Sequence, residues 1–182
     1  MPYDYSQLKD IGSDVYISQY VEIKRPNLVI IGSHVAIDTG FYCTTQLVMG
    51  DYIHIGPYVS CIGGANGLLH MGHFTTIAAG SRLICASDNH SGDGLVGPTI
   101  PLKYRDSLTC APIILEDFAS LGTNVIVTPG VTLGEGSVVG ANSLLKSNTE
   151  PWTIYAGSPA KPIKTRKKDN MIQYARELGY DK

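Results

Sequence analysis

Apolar residues return along this chain at every sixth position. Ile11, Ile17 and Ile23 form one set of three, and Ile31, Ile37 and Cys43 form the next. Met49, Ile55 and Cys61 follow, then Met71, Ile77 and Leu83. After a gap come Leu115, Leu121 and Val127, and then Leu133, Val139 and Leu145. A second small or apolar residue stands four places after most of these, as at Val35, Phe41, Ile53, Val59, Thr75, Ser81, Ala119 and Val125. A helical face would return every three or four residues and a half-buried strand every second residue. A period of six suits a short strand followed by a sharp corner, and three such sides close a triangular coil of eighteen residues. Stacked coils bury a continuous apolar column that no single coil can bury alone. The expected class is therefore all-β, a parallel β-helix of hexapeptide repeats. The glycines directly after the apolar residue, such as Gly12, Gly32, Gly50 and Gly72, are expected at corners where φ is positive.

The sets begin at residues 11, 31, 49, 71, 115 and 133, so the intervals are 20, 18, 22, 44 and 18. The 44-residue interval holds 26 residues more than one coil needs. That excess, about 88–111, opens on "SDNHSGDG", Ser87 to Gly94, and shows no hexad beat. A loop of this length in a compact repeat is usually functional, and insertions in solenoids gather on one face. Two ends also leave the beat. Residues 1–10 read as a short N-terminal cap, and the repeat domain spans 11–167. In 168–182, Met171, Ile172, Ala175 and Leu178 mark an amphipathic helix. It is expected to cap the open end of the stack or to pack across a subunit boundary.

Composition narrows the picture further. With 182 residues and 43% hydrophobic content, the chain is one domain with a sizeable core. A net charge of −2 argues against a dedicated nucleic-acid binder. No signal peptide opens the chain and no run of 18 apolar residues follows, so a soluble cytoplasmic protein without membrane insertion is expected. Cys43, Cys61, Cys85 and Cys110 form no C-x-x-C pair and read as reduced thiols. Cys43 and Cys61 lie 18 apart at inward positions, as core residues do.

Three stretches carry a resemblance to a known family: "ASDNHSGDGLVGPTIPLKY", "APIILEDFASLGTNVIVTPGVTLGEGSVVGANSLL" and "EPWTIYAGSPAKPIKTR". Over about residues 11–167 the chain resembles the hexapeptide-repeat sugar acyltransferases of bacterial surface-polysaccharide synthesis. That group includes galactoside O-acetyltransferase-like enzymes and N-acyltransferases of nucleotide-linked deoxy-amino sugars. The resemblance implies a left-handed β-helix, a homotrimer, acetyl-CoA as acyl donor in a groove between neighbouring β-helices, and an acceptor sugar near the inserted loop. It implies the process as well, the building of lipopolysaccharide, O-antigen or capsule.

The chemistry needs a positioned nucleophile, a route for its proton and a donor for the oxyanion. His90 is the candidate base, because imidazole titrates near neutral pH. Asp88 would orient that ring or take the proton of a sugar ammonium. Asn89 suits a sugar hydroxyl or amine, its amide being both donor and acceptor. Ser87, His73 and Tyr104 join it as candidate acceptor-binding residues. For the coenzyme, the resemblance implies small residues along a pantetheine arm: Gly122 at the thioester carbonyl, with Thr123, Gly140 and Ala141 beyond. Lys146, Pro159 of the "GSPAK" turn, Lys161 and Arg166 complete that set. No cluster has metal-ligand spacing, and His70 with His73 lacks the third histidine that a zinc site would need. Relatives that acylate amines often lack a histidine at the place of His90, and His90 itself favours a hydroxyl acceptor. The loop as a whole favours an amine, and an amino-sugar acceptor is the preferred reading. O-acetylation with His90 as general base is the alternative, and a catalytically silent scaffold is a third.

Overall fold

The computed structural model describes residues 2–180. Three parallel sheets form the sides of a prism of about seven turns. On face 1 the inward column is Ile11, Ile31, Met49, Met71, Leu115 and Leu133, each paired in register with the next. Face 2 stacks Ile17, Ile37, Ile55, Ile77, Leu121, Val139 and Tyr155. Face 3 stacks Ile23, Cys43, Cys61, Leu83, Val127 and Leu145. Almost all are buried, and they make one core cluster. The hexads thus form the expected parallel β-helix. The strand Leu68–Met71 pairs directly with Ile113–Leu115, so the long insertion leaves the stack without disturbing its register.

The corner glycines have a different reason from the one the sequence suggests. Positive φ falls two residues later, at Asp14, His34, Tyr52, Phe74 and Phe118 on the corner between faces 1 and 2. At the corner between faces 2 and 3 it falls on Asn124 and Asn142. The glycines after the apolar residue are needed because the next coil runs beneath them. A Cβ on Gly122 would meet the Ala141 amide nitrogen at 2.7 Å, and one on Gly134 would meet the Thr149 carbonyl oxygen at 2.7 Å.

Bulky residues with φ > 0 are strained, and here their rings stack instead of splaying. His34 lies 4.5 Å from Tyr52, Tyr52 lies 5.0 Å from Phe74, and Phe74 lies 5.1 Å from Phe118, centroid to centroid. Gly136 leaves the room that the Trp152 ring fills. The C-terminal helix α1, Asp169–Glu177, packs along this aromatic edge. Ala175 is its buried residue, while Leu178 is 52% exposed. It therefore lies on the side of the prism and does not close the end. That end is formed by the antiparallel strands Thr153–Gly157 and Ala160–Thr165, the second carrying Lys161, Pro162 and Lys164 at the sheet edge. Lysine and proline there deter pairing with another strand. At the other end Tyr3 and Leu8 pack against the first coil.

Candidate active site

The insertion is an ordered hairpin. Ala86–Asp88 pairs antiparallel with Leu108–Cys110. Asn89 extends the pairing: its backbone amide donates to the Ser107 carbonyl at 2.9 Å, and its side-chain amide donates to Ser107 Oγ at 2.8 Å. Thr109 Oγ1 donates to Asn89 Oδ1. Asn89 thus spends most of its bonding capacity on the hairpin. His90 follows with φ 54° and is exposed, at the point where the strand ends. Beyond it, buried Asp106 gathers the loop: it accepts from Ser91 Oγ at 2.8 Å, the Gly92 amide at 3.2 Å and the Ser107 amide at 2.7 Å. The Ser91 hydroxyl first, and then those amides, hold the Asp106 carboxyl below its ordinary range. Arg105 Nη2 faces Asp88 Oδ1 at 3.6 Å across the hairpin.

Ser87, Asp88, Asn89 and His90 are therefore brought together, with Tyr104 on the return limb. Their side chains differ in access: Tyr104 is 54% exposed, and Asp88 is mostly enclosed beside Arg105. His73 is not part of this group. It sits on the corner between faces 1 and 2, where Nδ1 accepts the Asp51 amide at 3.0 Å and the ring packs 4.9 Å from Tyr180. A cavity of about 400 Å³ beneath α1 adjoins it, lined also by Phe74, Phe118 and Ile172.

The residues assigned to the coenzyme divide in the same way. Gly122, Thr123, Gly140 and Ala141 share the corner between faces 2 and 3. The Gly122 amide donates to the Val139 carbonyl at 2.8 Å, and the Gly140 amide donates to the Tyr155 carbonyl at 2.7 Å. Gly122 N–H is thus engaged within the stack and is not free for a thioester carbonyl. Thr123 and Ala141 stand exposed on the ridge, and among the described residues their amides make no hydrogen bond. The Ala79 amide, one coil earlier, is in the same position, which the sequence reading missed. Lys146, Pro159 and Lys161 are exposed. Arg166 is committed elsewhere: Nη1 donates to the Phe118 carbonyl at 2.9 Å and the Gly136 carbonyl at 3.0 Å, clamping two coils. Burial lowers its pKa from the ordinary arginine range.

Within one chain the ridge and the loop stand at opposite edges of face 3. A side of six residues at ~3.3 Å each separates them by roughly 15–20 Å. Among the described residues no group of three histidine, cysteine or acidic side chains could hold a metal.

No family model matches the sequence. Individual proteins do. The chain is 30% identical over 165 residues to a dTDP-4-amino-4,6-dideoxy-D-glucose acyltransferase of Escherichia coli, covering 88% of this chain and 83% of that protein. The fold matches AntD, an N-acyltransferase from Bacillus cereus in complex with dTDP and 3-hydroxybutyryl-CoA. The TM-score there is 0.90 at 32% identity, over 96% of this chain and 92% of that one. A hexapeptide-repeat acetyltransferase of Vibrio cholerae, complexed with acetyl-CoA, shares the fold at a TM-score of 0.58 and 22% identity, covering 89% of this chain and 73% of that one. Since the likeness to the first two spans 88% and 96% of the chain at 30% and 32% identity, the chain belongs to the hexapeptide-repeat acyltransferases that act on sugars.

Proposed function

We propose that this protein transfers an acyl group, acetyl by default, from acyl-CoA to the amino group of a nucleotide-linked deoxy-amino sugar. The observation that carries the reading is its near full-length likeness to AntD, whose structures hold CoA or an acyl-CoA and, in two cases, dTDP-4-amino-4,6-dideoxyglucose. In the transfer, the neutral amine nitrogen attacks the thioester carbonyl, the C–S bond breaks, and the CoA thiolate leaves with the proton balance restored through solvent or His90. A neutral amine attacks a thioester without a strong base. The ammonium must first be held and must lose a proton, a task for the enclosed carboxylate of Asp88 with the exposed imidazole of His90 beside it. The free amides along Ala79, Thr123 and Ala141 suit the pantetheine and its thioester carbonyl. Exposed Lys146 and Lys161 suit the phosphates of CoA.

The distance between ridge and loop within one chain supports a homotrimer in which the hairpin of one subunit faces the ridge of the next. Leu95, Leu102, Tyr104 and Leu108 are exposed on that hairpin and suit such a cover. Among the described residues no helix is long and apolar enough to cross a membrane. Use of CoA fits a cytoplasmic step in making a sugar for lipopolysaccharide, O-antigen or capsule. O-acetylation remains the second reading because His90 is exposed and within one residue of Asn89. An assay with acetyl-CoA across dTDP- and UDP-linked amino sugars and their hydroxyl counterparts, followed by mass, decides. Transfer to the amino sugars alone is expected, and transfer to the hydroxyl counterparts with equal efficiency overturns the amine reading.

A further inference from the structure

Among the described residues, two buried side-chain atoms lack a hydrogen-bond partner, Asp88 Oδ1 and Arg105 Nε. Both belong to one ion pair. The Arg105 and Asp88 side chains are 21% and 16% exposed, yet their nearest charged atoms stand 3.6 Å apart. A charge-assisted N–H···O bond closes to about 2.7–2.9 Å. Enclosed charges joined this loosely call for an explanation, because desolvation is suffered without a full return. The loop is capable of better: fifteen residues or so along the chain from Ser91, Asp106 satisfies its carboxylate with a hydroxyl and two amides.

Arg105 also borders an open cleft of about 420 Å³ between Gly92–Leu95 and Lys103–Arg105. Lys103 Nζ lies 4.6 Å from the centroid of the Tyr104 ring, which offers a flat exposed face. On the opposite wall Gly92 leaves open space where a side chain would stand, while Gly94 lets that wall pack against the Arg105 and Asp106 backbone. Asp93 on that wall competes with Asp106 for the one Ser91 hydroxyl proton, its carboxylate lying 2.9 Å from Ser91 Oγ. Two cations and an aromatic face match a nucleoside diphosphate.

We propose that this cleft is the nucleotide-diphosphate subsite of the acceptor, with Lys103 and Arg105 on the phosphates and Tyr104 against the base, and that Arg105 is a positioning residue for Asp88. The inference rests on the acceptor reading above. A nucleotide-linked amino sugar carries both an anionic diphosphate and a cationic amine. Its diphosphate draws Arg105 away, and its amine replaces Arg105 beside Asp88. One loose internal ion pair is exchanged for two closed ones with the substrate. An amino sugar without a diphosphate offers Arg105 nothing, so Asp88 stays paired.

The test is direct binding of dTDP, UDP and thymidine to the full chain by calorimetry, with no acyl donor present. Both diphosphates are expected to bind, and thymidine at least tenfold more weakly. Arg105→Gln should weaken dTDP about tenfold or more, Arg105→Lys should recover part of that, and the exposed Lys103→Gln should weaken it severalfold. Asp88→Asn should tighten dTDP severalfold, because the competitor for Arg105 is lost. A purely structural brace would not produce that opposite sign. Thermal melting and acetyl-CoA affinity serve as controls on folding. If dTDP binds equally to wild type, Arg105→Gln and Lys103→Gln, or if Asp88→Asn weakens it as Arg105→Gln does, the subsite is wrong while the acceptor reading stands. If wild type binds neither diphosphate at millimolar concentration and acylates free amino sugars, the acceptor reading falls, and the subsite with it.

Discussion

At the scale of single residues, two kinds of position carry the molecule. Inward residues such as Leu115, fully buried, supply the hydrophobic free energy. Corner glycines permit the coils to approach. Gly134→Ala would drive a methyl group against the Thr149 carbonyl, 2.7 Å away in the next coil. Overpacking of this kind costs about 1–3 kcal/mol, and a lowered melting temperature without loss of the folded baseline is the expected result. In the proposed transfer, the chemistry falls to Asp88 and His90. For an amine acceptor, kcat/KM should rise with pH as the substrate's ammonium deprotonates, and that rise should survive in His90→Ala with a mild loss of rate. Asp88→Asn should hurt more. For a hydroxyl acceptor, loss of the general base should instead lower the rate about 10²–10⁴-fold, and a pH–rate series on both variants tells the cases apart.

At the scale of elements, a carboxylate helps to anchor both the hairpin and α1. Asp106 binds the loop through Ser91, Gly92 and Ser107, and its carboxyl lies below the ordinary range. A carboxyl lowered by folding stabilises above its unfolded pKa, about 3.9, and that stabilisation disappears as pH falls through the folded value. Asp106→Asn should thus accelerate amide exchange across 89–107 at neutral pH while the coils stay protected. Helix α1 is tied by Tyr180, whose hydroxyl donates to Asp51 Oδ2. Burial, and then the Asp51 bond and charge, push the Tyr180 hydroxyl up to about 12. Burial would raise Asp51, but the Tyr180 and Ser33 bonds outweigh it and hold Asp51 low. A raised tyrosine stabilises fully below its unfolded pKa, about 10, and that contribution is lost as pH rises through about 12. Tyr180→Phe should remove this alkaline dependence and free α1 to exchange, read by hydrogen exchange at pH 7 and by melting between pH 9 and 12.

At the scale of the whole molecule, the proposed coenzyme ridge of Thr123 and Ala141 and the proposed acceptor hairpin of Asp88 and His90 stand at opposite edges of face 3, roughly 15–20 Å apart in one chain, which the proposed transfer would bridge between copies. Closed threefold symmetry would bring one copy's ridge to another's hairpin. Light scattering should report a trimer at micromolar concentration, and a monomer there would remove the proposed site. Acetyl-CoA and free CoA should each raise the melting temperature without acceptor present. Linkage gives about 2.7 kcal/mol at a hundredfold excess over Kd, and absence of any shift at millimolar ligand would refute coenzyme binding.

The repeat was legible because its physics is one-dimensional. Each hexad closes one side, and its inward residue meets the equivalent residue of the next coil, so the period alone set the coils, the columns of Ile37 and Cys43, and the place of the insertion. The place of Ser87 to His90 was legible for the same reason, as the polar opening of a stretch the coils did not need. What depends on the third dimension was not. Chain spacing assigns Gly122 to a corner, but only stacking shows that its missing side chain makes room for Ala141 and that its amide is already taken. Arg166 reads as one more cation in a basic run until the coils bring two carbonyls to its guanidinium. His73 reads as a neighbour of the loop, and the triangular section puts it at another corner, under α1. Arg105 carries no signal in sequence at all, since a hairpin must close before it faces Asp88. Periodic burial is written residue by residue, whereas partners of polar groups are fixed by which distant segments the closed prism brings within a bond's length.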